Sequence, residues 1–375
     1  MTGEGSAVDL PDLLPMDVAG RLPLLRQAMA DADITALWVT DLDNVRWLTG
    51  FTGSNARVLI TPEELVAVTD GRYREQIADQ LDTAGVDARV EVTVTDVGEV
   101  VTGALAAGTR LGIEADHLTV AGHRQLLGWL DGAAEVVATT GILPGLRRRK
   151  DEGEQSRLIR AAAMADVALA AVAPMLGRGP TEKQVAQALD RSMVDLGADA
   201  PSYETIVASG PNAALPHARP TDRVIEADDL VIIDVGARLD GYGSDMTRTF
   251  VAGGEPSAEQ QRWYDAVIKA QAAGVASVAE GVELRAVDRA CRSVLEDHGL
   301  AEAFIHGTGH GIGLRIHEDP FLSARSDGIL QRGFVVTVEP GVYLPGRGGV
   351  RIEDAVIVLD EGCETITHSP KTITP

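Results

Sequence analysis

The chain has 375 residues, too many for one average domain and comfortable as two. Lys and Arg total 33 against 56 Asp and Glu, a net charge of −23, which argues against nucleic acid or an anionic membrane as partner because both are held by clustered basic side chains. Hydrophobic residues at 45% and charged residues at 24% describe a globular chain, and an aromatic share of 4% means its core is built largely from Ala, Val, Leu and Ile. The two cysteines, Cys291 and Cys363, make neither a disulfide framework nor a thiolate metal site by themselves. The first 20 residues carry Glu4, Asp9, Asp12 and Asp17 and no apolar stretch after a basic start, so they do not read as a secretory signal. The most apolar run, 167–176, is about half a membrane span and reads as buried helix, so the expectation is a cytoplasmic protein with no membrane partner.

In chain order, the pattern from residue 21 to 141 alternates helical periodicity with short β-branched runs. Helices are expected at 22–30, 72–81, 99–107 and 119–130, and strands at 35–40, 57–61, 65–69, 89–95 and 111–114. This is an α/β arrangement, a mixed sheet with helices packed on it. It has no phosphate-cradling glycine motif, so nucleotide binding is not supported. Residues 142–150 (ILPGLRRRK) mark a boundary, because Pro144-Gly145 interrupts the periodicity. The four basic residues that follow run into Asp151, Glu152 and Glu154, and read as a solvated linker before an acid-rich helix start. A long helix is expected at 152–176, with Pro174 kinking or stopping it, and another at 181–196 opened by Thr181. Beyond Tyr203 the character changes to strands at 203–208, 230–238, 244–251, 333–339 and 349–359, interrupted by helices at 258–279 and 284–298. Helices and hairpins segregated in one domain indicate α+β.

Three segments carry chemistry. In VIIDVGARLDGYGSDMTRTF (231–250), three apolar residues lead into Asp234, Asp240-Gly241 is a hairpin-turn dipeptide, and Asp245 opens the return strand. The two acids are symmetric about that turn to within about one residue, which places them opposite each other, so a cation is expected between them. In VVTVEPGVYLPGRGGVRIEDAVIV (335–358), Glu339 and Glu353 are likewise symmetric about Gly346. In HGTGHGIGLRIHEDP (306–320), three of the eight histidines, His306, His310 and His317, are interleaved with glycines that argue against a helix and for close backbone approach to a ligand. Four carboxylates and at least one imidazole exceed what one divalent ion needs, whereas two ions about 3.5–4 Å apart use them naturally. Oxygen-rich ligation without thiolate favours Mn²⁺ or a similar ion, with Co²⁺ or Zn²⁺ as alternatives, and the histidines weigh against a structural Ca²⁺ site.

Asp234, the step to Asp245, HGTGH, TVEPG and RIED together resemble the pita-bread metallopeptidases, and within them the aminopeptidase P and prolidase branch. FTGS (51–54) and TDGRY (69–73) are similar to the smaller creatinase-type domain of those enzymes. The resemblance implies an α/β N-terminal creatinase-like domain at 1–145 plus an α+β pita-bread catalytic domain at 146–375. It implies metal ligation by Asp234, Asp245, His310, Glu339 and Glu353, with Asp245 and Glu353 bridging two ions and Glu339 also the acid/base. His217, in SGPNAALPHARP, would contact substrate, His306 and His317 would line the pocket and stabilise the tetrahedral intermediate, and Arg351 would orient ligands. The implied reaction is hydrolysis, by a hydroxide between the ions, of the bond joining an N-terminal residue to proline in small peptides. FTGS and TDGRY lean toward aminopeptidase P, with Xaa-Pro dipeptidase as the alternative. The resemblance also implies a homodimer, and a non-catalytic peptide-binding module is disfavoured because all five ligands stand.

Overall fold

The computed structural model describes residues 10–375, which form two compact units, 16–147 and 148–375, the latter joined by residues 10–15. The sequence-based division places residues 10–15 in the first domain. Instead, the Leu14 amide donates to Ser156 Oγ (3.0 Å), the Leu14 carbonyl accepts from Arg157 (2.7 Å), and Leu10 packs into the second unit's core.

In the N-terminal unit a six-stranded sheet runs from edge to edge as Arg89–Val92, Leu65–Thr69, Ala56–Ile60, Ala36–Val39, Arg110–Glu114, Glu135–Thr139. Of the two central pairings, 36–39 with 56–60 is antiparallel and 36–39 with 110–114 is parallel, the mixed sheet expected from the alternating pattern. One face buries Trp38, Leu59, Val66, Val68, Leu111 and Ile113 against Val97, Val101, Leu126 and Leu130 of two helices. Full burial of each such aliphatic side chain contributes roughly 1.5–3 kcal/mol, and the opposite face, with Leu37, Val39, Val58 and Ile60 buried, contributes as well. A helix at Leu42–Thr49, not expected from periodicity, starts because the Asp41 carboxylate caps the Asp43 amide and stops at Gly50 (φ 72°).

The basic run is not a solvated linker. Ile142–Arg147 is a short helix, and Arg147 is buried with its guanidinium on Asn44 Oδ1 (2.9 Å). Lys150, at the head of the second unit, is also buried, its ammonium 2.8 Å from Glu318. Two of the four basic residues therefore serve as internal partners, one in each unit, which composition alone does not reveal.

The C-terminal unit opens with the helix Glu152–Val172, started by a reciprocal cap between Asp151 and Glu154. It passes into a 3₁₀ turn at Ala173–Arg178 where Pro174 removes an amide donor, as Pro174 leads one to expect. This stretch, 152–178, is long and apolar enough to cross a bilayer, but half of its most apolar window is buried within the protein. Here that apolar side packs, with the helix Glu182–Asp195, on Val207, Val231, Ile233 and Phe250 of a three-stranded antiparallel sheet ordered Met246–Val251, Leu230–Val235, Ile206–Ser209. A five-stranded sheet, ordered Glu318–Leu322, Gly309–Gly311, Val335–Val338, Asp354–Val358, Cys363–Thr365, buries Val336, Val338 and Val356 beneath the helices Ala258–Ala276 and Leu284–Asp297.

Two hairpins set the positions of the acids. Asp240 and Gly241 both have positive φ (46° and 77°), the conformation a two-residue turn of this twist needs. Its register pairs Leu239 with Tyr242 and Asp234 with Thr247, so Asp245 lies two residues along rather than directly opposite Asp234 as expected. In the second hairpin Gly341 faces Arg351 and Val338 faces Asp354, and Glu339 and Glu353 sit in the gap between those two ladders. The sheets are laced at this point: the Glu353 amide donates to the Thr247 carbonyl (3.1 Å), and Thr249 Oγ1 accepts from the Arg351 amide (3.1 Å) and donates to its carbonyl (2.8 Å).

Candidate metal centre and active-site cavity

Where the two sheets meet, a cavity of about 560 Å³ is lined by Asp234, Asp245, His310, Glu339 and Glu353, by His217, His306 and His317, and by Tyr203 and Arg351. Its size falls in the usual range for small-molecule sites. Oxygen or nitrogen atoms of Asp245, His310 and Glu353, all buried, lie within 4.8 Å of one another. His310 Nε2 is 3.6 Å from Asp245 and 3.4 Å from Glu339. Asp234 joins the group through Tyr203, whose hydroxyl lies against Oδ1 of Asp234 and 2.5 Å from Oδ1 of Asp245. All five residues expected to bind metal thus border one space.

His310 occupies a strand, not a helix, as the glycines require. Gly309 is needed for close approach: a Cβ there would lie 1.9 Å from the Thr337 carbonyl oxygen. The neighbouring His310 amide then donates to Thr337 Oγ1 (3.1 Å). The His310 Nδ1 sits 3.1 Å from the Gly311 carbonyl, a contact that needs Nδ1 to carry the proton and leaves the Nε2 lone pair facing carboxylates. Burial pushes this imidazole down to about 4, so it does not neutralise them by protonation.

The electrostatics are one-sided. Burial, then the Asp234 charge, raises the Asp245 carboxyl well above the usual range; burial and the charges of Asp245 and Glu339 do the same to Glu353. Burial pushes Glu339 up to about 8, with Arg351 opposing and Asp234 adding to the rise. Four carboxylates therefore face one hydroxyl proton from Tyr203, a weak Thr337 hydroxyl contact, one neutral imidazole and, from behind, Thr247 and Arg351. Thr247 Oγ1 donates to Glu353 (2.7 Å). Arg351 donates to Asp234 (2.7 Å), Thr247 Oγ1 (3.1 Å), Tyr343 Oη (2.8 Å) and the Pro216 carbonyl (3.0 Å). A lone pair pointed at buried carboxylates, with too little positive charge among them, is the donor set that divalent cations satisfy, and hard oxygen with one nitrogen suits them. The residues present fit such ions.

The three accessory histidines stand differently. His317 is exposed at the cavity edge, its ring 4.4 Å edge-on to His310. His217 is exposed on its loop. His306 borders the cavity but both ring nitrogens are engaged, Nδ1 with the Gly307 carbonyl (2.8 Å) and Nε2 with Tyr343 Oη (2.9 Å). Arg351 to Tyr343 to His306 to Gly307 is thus one directed chain of hydrogen bonds. Tyr203, Thr247 and Tyr343 were not identified from sequence. Thr247 had a signal, since it lies two residues from Asp245 in a strand and shares its face. Tyr203 had none, being 31 residues from Asp234 on another segment.

This arrangement is that of a metallopeptidase. Residues 156–360 match metallopeptidase family M24 and residues 21–148 match the creatinase/prolidase N-terminal domain, so the chain belongs to metallopeptidase family M24 with a creatinase-type N-terminal domain. It is 38% identical to the uncharacterized peptidase YqhT of Bacillus subtilis over 94% of this chain and 99% of that protein. Among solved structures it is similar to an Xaa-Pro dipeptidase from Bacillus anthracis (TM-score 0.90, 38% identity, covering 95% and 99% of the two chains). It is also similar to an X-Pro aminopeptidase from Thermotoga maritima (0.84, 31%, 93% and 99%) and to a prolidase from Pyrococcus horikoshii (0.87, 30%, 94% and 99%).

Proposed function

We propose that this peptidase hydrolyses the bond between an N-terminal residue and proline, acting on peptides longer than two residues in the manner of aminopeptidase P. The observation that carries the reading is the convergence of Asp234, Asp245, His310, Glu339 and Glu353 on one cavity in an M24 chain. These five residues would hold two divalent ions, which would supply a Lewis acid and an activated water at neutral pH. Glu339, which borders the cavity and whose carboxylate meets only a weak Thr337 hydroxyl contact and the His310 imidazole among the described residues, would take the proton of the attacking water and return it to the departing proline nitrogen. That nitrogen carries no hydrogen in the substrate, so the site needs no acceptor for it and a proton donor suffices. His317 and His217, at the edge, would donate to the carbonyl oxygen as charge builds on it. His306 acts through Tyr343, fixing the hydroxyl that Arg351 also grips.

Preference for the longer peptide is supported by an apolar share of the cavity lining, Ile206, Ala218, Ile316 and Phe321, of which Phe321 is 49% exposed and open to a residue that continues the peptide. A fixed cation would serve a dipeptide's free carboxylate, but Arg351 already donates to four acceptors, and Arg219 is an exposed, unanchored side chain beside Glu204 (3.2 Å). Dipeptidase activity is the second reading, favoured by the likeness to the Bacillus anthracis Xaa-Pro dipeptidase. The test is the ratio of kcat/KM for an Xaa-Pro-Yaa tripeptide to that for the Xaa-Pro dipeptide, with enzyme reconstituted in Mn²⁺. A ratio well above one is expected, a ratio below one makes the protein a prolidase, and turnover of neither peptide overturns the proposal.

A further inference from the structure

His217 reaches the cavity on the connection between the strands Ile206–Ser209 and Leu230–Val235, and connections of that length are ordinarily loose. Among the described residues no side chain bonds to the His217 ring, so its place is set by the loop's backbone. Two features fix that backbone. At the apex, the Pro216 carbonyl accepts from Arg351 (3.0 Å), the same guanidinium that holds Asp234. At the base lies Glu182, the first residue of the helix Glu182–Asp195, and it is fully buried.

The Glu182 carboxylate is surrounded by donors. Oε1 accepts from the Ser209 amide (2.7 Å), Ser209 Oγ (2.7 Å) and Asn212 Nδ2 (3.0 Å). Oε2 accepts from Asn212 Nδ2 (3.1 Å), the Thr221 amide (3.0 Å) and Thr221 Oγ1 (2.6 Å). Ser209 and Asn212 precede His217 and Thr221 follows it, so one side chain ties the outgoing and returning limbs together. Among the described residues no Lys or Arg bonds to Glu182; Arg223 instead reaches Ser209 Oγ (2.6 Å) and pairs with Asp229. A buried carboxylate without a bonded cation is an expensive way to fill space, and only an acceptor-only group meets this many converging donors. The Glu182 and Lys183 amides add to the closure by donating to the Arg223 and Thr221 carbonyls (both 3.1 Å).

We propose that Glu182 is a positioning residue that presents His217 to the substrate by pinning both limbs of its loop. For its catalytic consequence the proposal rests on the Xaa-Pro reading above; the positioning itself does not. Glu182→Gln replaces one acceptor with an NH₂ that must face an N–H or hydroxyl donor. Hydrogen exchange on the full-length protein is expected to show amides 210–221 losing protection roughly tenfold or more, with the remainder of the C-terminal unit unchanged. Mn²⁺ affinity stays at the wild-type value, because Glu182 touches none of the five ligands. In turnover of an Xaa-Pro-Yaa peptide, Glu182→Gln and His217→Ala each lower kcat/KM, and the double variant is no worse than His217→Ala alone. Unchanged protection at 210–221, or losses that multiply in the double variant, overturns the proposal. Should Glu182→Gln not fold, Thr221→Val removes one donor from the returning limb and is held to the same two readouts at smaller amplitude. If the wild type turns over no Xaa-Pro peptide, the functional reading falls while the exchange measurement still decides the positioning.

Discussion

At the scale of single residues, Glu339 and Arg351 make opposite demands on the site. Without cations, burial holds the Glu339 carboxyl near 8, above its unfolded value near 4.5. A raised acid pKa favours the protonated fold, so its contribution is fully present at low pH and lost as pH climbs through about 8. Glu339→Gln removes that titration without changing shape. In EDTA, therefore, the Tm of Glu339→Gln minus that of wild type grows more positive from pH 5 to pH 8; a flat or falling difference by calorimetry refutes the buried-charge account. With metal restored, the same variant is expected to lose kcat by roughly 10²–10⁴-fold on the acid/base role proposed for Glu339, and near-normal turnover would overturn that role. Arg351 instead supplies fixed positive charge and geometry through one planar fork to Asp234, Thr247, Tyr343 and Pro216. Lysine cannot span those acceptors. Arg351→Lys is expected to weaken Mn²⁺ binding about 10–100-fold, read by titration calorimetry, and wild-type affinity in that variant would remove Arg351 from the ligand-orienting role.

At the scale of elements, the close approach of the His310 strand to Val335–Val338 is what brings imidazole and glutamate together. Gly309→Ala would put a methyl group 1.9 Å from the Thr337 carbonyl oxygen, so the strand must move away. Overpacking of this kind costs about 1–3 kcal/mol, and the displacement carries His310 from Asp245 and Glu339. Both a lower Tm and a loss of metal binding are expected; a Tm drop with intact metal affinity would show that the site tolerates the shift. These same elements explain what was readable. Hairpin symmetry located Glu339 and Glu353 because Gly346 centres an undistorted two-strand register. For Asp234 and Asp245 the centre was off by one residue and the pairing therefore by two, because the true centre falls between Asp240 and Gly241 and Asp234 faces Thr247. The helix Leu42–Thr49 and the strand Glu135–Thr139 are eight and five residues long, too short to carry a clear periodic signal. Tyr203 and the roles of Arg147 and Lys150 depend on long-range contacts that local sequence does not encode.

At the scale of the whole molecule, the net charge of −23 surrounds a site that is itself acidic. Two exposed residues of the cavity lining, Arg219 and Glu204, pair with each other (3.2 Å) and cancel locally, so the long-range field is set by the excess of acids elsewhere. Such a field acts on approach rather than on chemistry, and it is screened beyond about 8 Å at physiological salt. On the proposed Xaa-Pro-Yaa reading, peptides carrying Lys after the proline are therefore expected to be drawn in and peptides carrying Glu there repelled. Raising KCl from about 20 mM to about 500 mM is expected to lower kcat/KM for Xaa-Pro-Lys, raise it for Xaa-Pro-Glu and leave an uncharged peptide nearly unchanged, with kcat constant throughout. The divergence in kcat/KM at constant kcat is the decisive feature, because salt acting on the metal site or on stability would move all three peptides together. Parallel salt slopes would mean that bound cations and local pairing neutralise the field at the mouth, and that the acidity of the chain plays no part in choosing its peptides.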